Sequence, residues 1–141
     1  MAGSNRDELQ ERIEAIEETY EFMLAYAAQG LSTHEASKTG AQLREFLDRC
    51  ERAIRELADH FAAVLREEGL DSNPAYTGFL EVLREDASKS GSAFRLTMAQ
   101  PAISSQLIDN LNASIHVRAL LTDIFLLDEI ITPRSAASTP A

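Results

Sequence analysis

The sequence predicts an all-α protein: an antiparallel up-down-up-down four-helix bundle with a short extra helical turn between helices one and two. Three observations predict it. Apolar residues recur in steps of three and four along four separate segments, the spacing that places them on one face of a helix. Capping residues and Gly or Pro punctuate the chain between those segments. No Gly-rich or Pro-rich linker and no internal repeat divides the chain, so residues 1–131 read as a single helical domain.

Helix one is expected over about residues 6–29. Asn5 followed by Glu8 fits a capping box, and Leu9, Ile13, Ile16, Tyr20, Met23 and Ala27 form its stripe. Glu11, Glu14, Glu17, Glu18 and Glu21 occupy the outer face. Gly30 suits the left-handed residue that ends a helix. The connection to Gly40 holds two further boxes, Ser32 with Glu35 and Thr39 with Gln42. These predict a helical turn over 33–37 and a fresh start near Gly40. The alternative is one continuous helix with Gly40 inside it, at about 1 kcal/mol relative to Ala.

Helix two is expected over about 41–68. Leu43, Phe46, Cys50, Ile54, Leu57, Phe61 and Val64 form its stripe, and Leu47, Ala53, Ala58 and Leu65 widen it. Gly69-Leu70 reads as a Schellman ending. Asn73-Pro74 then reads as an N-cap followed by Pro at the first helical position. Helix three follows over about 74–98, with the stripe Tyr76, Leu80, Leu83, Ala87, Ser90 and Phe94. Ser90 and Gly91 lower helix propensity and suggest a kink. Helix four is expected over about 101–131. Its first half is polar and small, its second half is apolar on more than one face, and Pro133 is expected to stop it. Residues 132–141, rich in Ser, Thr, Ala and Pro, read as a disordered C-terminal tail.

Composition excludes several function classes. The chain has 141 residues, 45% of them hydrophobic and 26% charged. Its 13 Lys and Arg against 23 Asp and Glu give a formal net charge of -10. So acidic a surface repels phosphate backbones, which argues against nucleic-acid binding through bulk charge. With 6% aromatics and no Trp, little material exists for base stacking. A single cysteine permits no internal disulfide. The apolar run 115–131 is interrupted by Arg118, Asp123, Asp128 and Glu129, so no membrane insertion is expected. The first residues have no basic region followed by an apolar run, so no signal peptide is read there and a cytoplasmic setting is expected.

The chemistry-bearing residues converge on no reaction. Bundles with two metal ions need Glu-x-x-His; here the residues three before His34, His60 and His116 are Leu31, Leu57 and Ala113. No metal site and no catalytic residue is assigned. His60 flanks the stripe and reads as a half-buried histidine beside an acid, and Cys50 as a small buried hydrophobe. Ser88, Lys89 and Ser90 do not form a dyad, because adjacent residues on a helix do not face each other. His60 is followed by Phe61-Ala62-Ala63, without the Lys that phosphotransfer chemistry would need beside it. Arg44, Arg49, Arg52, Arg55 and Arg66 interleave with Glu45, Asp48, Glu51, Glu56, Glu67 and Glu68, which reads as a solvated face carrying both signs.

Two functional readings remain. The first is a non-enzymatic helical protein, homodimeric or larger, acting in protein–protein interaction, scaffolding or regulation. Helix four carries more apolar residues than one stripe needs. The expected interface is Leu120, Ile124, Leu126, Leu127 and Ile131. The second is a small-molecule or cofactor-binding sensor, its cofactor unspecified, with a pocket between helices three and four. There seam volume is low and polarity high, and Ser90, Asn110, Ser114, His116 and Arg118 are the candidate ligands.

Overall fold

The chain enters its first helix through Ser4. The computed structural model describes residues 4–33 and 40–137, with side chains through residue 130. α1 spans Asn5–Ala28. The Ser4 hydroxyl accepts the Asp7 amide at 3.1 Å, and the Asp7 carboxylate accepts the Ser4 amide at 3.4 Å. The capping box therefore lies one residue before the expected Asn5–Glu8 pair. Asn5 and Arg6 are freed to tie α1 to the end of the next helix: Asn5 donates to Glu67 at 2.7 Å, and Arg6 makes a forked pair with Glu68. The buried stripe is Leu9, Ile13, Ile16, Thr19, Met23 and Tyr26. Thr19 sits inside because its hydroxyl donates to the Ala15 carbonyl one turn back.

α2 spans Ala41–Glu67, with Gly40 at its N-cap and no side-chain cap. Apart from Thr33, the extra turn expected over 33–37 lies outside the described residues. α2 ends as a Schellman motif: Leu70 N–H bonds the Leu65 carbonyl at 2.8 Å, Gly69 N–H bonds that of Arg66 at 3.3 Å, and Gly69 takes φ 71°. α3 spans Pro74–Met98. Asn73 caps it by accepting the Ala75 amide at 3.0 Å. It is assigned as one helix through Ser90 and Gly91, where a kink was expected; both residues are buried against neighbours.

The four-helix expectation fails on the last arm. A single helix over 101–131 was expected; two helices are found, α4 (Ser105–Ala113) and α5 (Ile115–Ala137), making five α-helices among the described residues. Residues before Ser105 stay out of the helix because Ser104 takes the N-cap, accepting the Leu107 amide at 3.1 Å. The second break is at Ser114, whose ψ of 129° is extended rather than helical. Its amide still bonds the Leu111 carbonyl, ending α4, and its own carbonyl accepts the Arg118 amide, starting α5. The physical reason is a change of phase. Ile108, Leu111 and Asn112 are buried in α4, and an unbroken helix would continue that face through Ile115, Arg118 and Thr122. Those three are exposed, while Val117, Leu120, Leu121, Ile124 and Leu127 are buried. One non-helical residue lets both apolar faces reach the core. α5 also continues past Pro133, the residue expected to end it.

Consecutive long helices pack side by side, α1 on α2 and α2 on α3. α4 lies against the end of α1, and α5 lies chiefly against α3. Two devices hold the α4 end together. Ser105 donates to the Tyr26 carbonyl at 2.6 Å and accepts the Leu31 amide at 2.8 Å, while its own amide bonds the Leu31 carbonyl. Arg44 donates to the carbonyls of Met98 and Gln100 at 2.9 and 2.6 Å, satisfying the end of α3.

Candidate functional site

The surface with the strongest unmet physical demand is the outer side of α5. A helix in a bundle needs one apolar stripe, and Val117, Leu120, Leu121, Ile124 and Leu127 supply it from within. Yet Phe125, Leu126 and Ile130 are 54%, 52% and 42% exposed, and Ile115 at the start of the helix is 76% exposed. At 100° per residue, Ile115, Arg118, Thr122, Phe125, Leu126 and Glu129 share one outward arc. Beside it, at the end where α2, α3 and α5 meet, Phe61, Tyr76, Phe79, Leu127 and Ile130 line an apolar groove of about 330 Å³. Phe61 and Phe79 set its wall edge to face, with ring centres 6.3 Å apart.

The expected interface residues divide between inside and outside. Leu120, Ile124 and Leu127 are fully buried in the core of the single chain. Leu126 is exposed, and the side chain of Ile131 lies outside the described residues. Phe125 and Ile130 were in the same apolar stretch, and only the phase of α5 tells them from the core residues.

Of the five candidate ligands, the structure brings together Ser90 on α3 and the backbone of His116 on α5. Ser90 is fully buried and donates its hydroxyl to the His116 carbonyl at 2.7 Å. That bond closes α3 on the start of α5. Asn110 is exposed and accepts from Gln106. Ser114 is half-buried at the helix break, and the His116 and Arg118 side chains are exposed. Asp86 on α3 faces Asp123 on α5.

Carboxyl groups flank α5 on both sides. Asp123 is buried against Asp86 of α3, and Asp128 stands against Glu17 of α1 while accepting from Gln10 at 3.2 Å. Burial raises Glu17 to about 7, and its hydrogen bond with Asp128 and the charge there add to the rise. Burial, then Asp86, does the same to Asp123, also to about 7. Cys50 lies in the core, where burial pushes its thiol up to about 12, so the thiolate that redox or metal chemistry needs is scarce at neutral pH. His60 is half-buried, its Nδ1 3.8 Å from Glu8. Glu51, read from sequence as part of a solvated face, is buried. Among the described residues, no helix is long and apolar enough to cross a membrane, and no group of three His, Cys, Asp or Glu is placed to hold a metal ion.

Compared with protein-family models, curated proteins and solved structures, the chain matches none.

Proposed function

We propose that the protein is a helical interaction module that works as a homodimer, joined through the outer face of α5. The observation that carries the reading is the exposure of Phe125 and Leu126 at about half their surface on a helix already satisfied on its inner side. A second copy is the favoured occupant because the face complements itself. In an antiparallel pairing of two α5 helices about a two-fold axis, Arg118 falls opposite Glu129 of the second copy, and Glu129 opposite its Arg118. Phe125 and Leu126 then lie between these two charge pairs. The same pairing carries the second copy's Ile115, the most exposed apolar residue of the helix, towards the groove beside Ile130. Knob and hole on one surface patch are what a closed two-fold interface requires.

The test is solution mass by light scattering at about 10 μM, the range for a dimer of micromolar Kd. The wild-type chain is expected as a dimer. Leu126→Glu is expected as a folded monomer, because this side chain faces solvent within the single chain. Arg118→Glu should weaken the dimer, and adding Glu129→Arg should restore it. A wild-type monomer at about 100 μM defeats the proposal.

A further inference from the structure

A different surface, between α2 and α3, concentrates positive charge in a chain whose net charge is -10. There a groove of about 270 Å³ has a floor of small residues, among them Ala58, Ala87 and Gly91. Arg55 stands on one wall, Arg84 and Arg95 on the other. Glu51 lies at its base, 3% exposed, and takes both neighbouring guanidiniums: Arg55 through Nε and Nη2, and Arg95 through Nη1 at 2.8 Å. Those two arginines hold its carboxyl below the ordinary range, so it is ionised at neutral pH. Two cations on one carboxylate leave one positive charge over; Glu56 and Asp48 also act on Arg55, but they are themselves paired with Arg12 and Arg52. Arg84, further along, is paired with Asp59 at 3.0 Å.

Gly91 explains how the cluster is built. A Cβ at this position would lie 3.1 Å from Nη1 of Arg95. Glycine is unfavourable inside a helix, and here its bare backbone gives Arg95 the clearance to fold back along its own helix towards Glu51. The three arginine side chains remain between 43% and 64% exposed. Each guanidinium has five N–H donors in a fixed fork, and the bonds to Glu51, Ser92 and Asp59 use only some of them.

We propose that this groove binds a small phosphoryl anion, held between Arg55, Arg84 and Arg95. A phosphoryl group presents three acceptor oxygens in different directions and suits guanidiniums approaching from two walls. A free carboxylate offers two oxygens in one plane. The groove exceeds the size of bare phosphate, so a phosphomonoester with a compact body fits its floor. The acidic remainder of the surface disfavours a polyanion, whereas a small anion feels mainly charges within a Debye length of about 8–10 Å.

The experiment follows the arginine Nε–H resonances by NMR while inorganic phosphate or phenyl phosphate is added at constant ionic strength, with acetate as control. Shifts at Arg55, Arg84 and Arg95 are expected, with phenyl phosphate bound at least about tenfold more tightly than acetate. Arg84→Gln should weaken binding about tenfold by removing one donor set. Asp59→Asn, which releases Arg84 from its partner, should tighten binding about threefold. Leu126→Glu, made to break the dimer, should bind as the wild type does, so the two proposals fail separately. No shift at about 20 mM phosphate overturns the site. So does equal binding of acetate, or an Asp59→Asn variant that binds no better than wild type.

Discussion

Ser90 on α3 donates its hydroxyl to the carbonyl oxygen of His116 on α5 at 2.7 Å. A side chain this short makes that bond only where two helices approach closely, so the small residues at this height bring backbones together. Ser90→Leu should therefore destabilise the protein by about 2–4 kcal/mol, combining overpacking with the lost hydrogen bond. Ser90→Ala should cost about 1 kcal/mol. Chemical denaturation of both variants checks the order; a well-tolerated Leu would show unfilled space between α3 and α5.

How much of this was legible in the sequence depended on whether the signal was local. Gly69-Leu70 and Asn73-Pro74 dictate a helix end and a helix start by local chemistry alone, and both form as expected. Ser114 has no such mark. It is neither Gly nor Pro, it takes no positive φ, and a serine disfavours a helix interior too mildly to mark a break by itself. A signal did exist: the apolar phase before Ser114 continues onto Arg118 and Thr122, while that after it runs through Val117, Leu120 and Leu121. Two conflicting phases need a break between them. Glu51 and Arg95 are separated by 44 residues, so no local pattern connects them, and a mixed-charge helix face conceals a buried carboxylate. The exposed face of α5 was legible as excess apolar content. Choosing Leu126 over Leu127 required the phase of the new helix.

The acid pairs flanking α5 make stability depend on pH in a stated direction. Glu17 rises from an ordinary 4.5 to about 7, and Asp123 from 3.8 to about 7. Between those limits the folded chain holds protons that the unfolded chain has released. The stabilisation is full below pH ~4 and is lost as pH rises through about 7. The urea midpoint should be higher at pH 5 than at pH 8. Asp123→Asn should flatten that dependence without abolishing it, since Glu17 with Asp128 remains. A midpoint that rises between pH 5 and 8 would contradict both pairings.

Asn112 offers a gain instead of a loss. Its amide is buried on α4, and neither side-chain atom has a hydrogen-bond partner among the described residues. A buried polar group without partners costs about 1–3 kcal/mol. Asn112→Leu, branched at the same carbon and without that polarity, is expected to raise stability by about 1–2 kcal/mol in thermal or chemical unfolding. A loss of similar size would show that the amide is satisfied in solution.

The junction of α1 with α4 supports a prediction about coupling. In an ordinary Schellman ending, the Leu31 amide would bond the Tyr26 carbonyl directly. Here the Ser105 hydroxyl stands between them, accepting from Leu31 and donating to Tyr26. The Tyr26 phenol fastens the same loop by donating to the Ile103 carbonyl at 2.6 Å, and burial raises its pKa above the ordinary phenol value. Ser105→Ala leaves the Leu31 amide without its partner and takes one of two donors from the Tyr26 carbonyl, which keeps the Gln29 amide; it should cost about 2 kcal/mol. Tyr26→Phe removes one bond and should cost about 1–2 kcal/mol. Both losses release the same few residues, 103–105, from the end of α1. Once either bond is gone, the other holds a loop that has already loosened. The double variant should therefore lose less than the sum of the single ones, by at least about 0.5 kcal/mol. Hydrogen exchange locates the effect: the Leu31 amide should lose protection in Ser105→Ala, while amides in the middle of α2 keep theirs. Strict additivity, or an unchanged Leu31 exchange rate, would mean that the two bonds act independently and that the hydroxyl does not complete the end of α1.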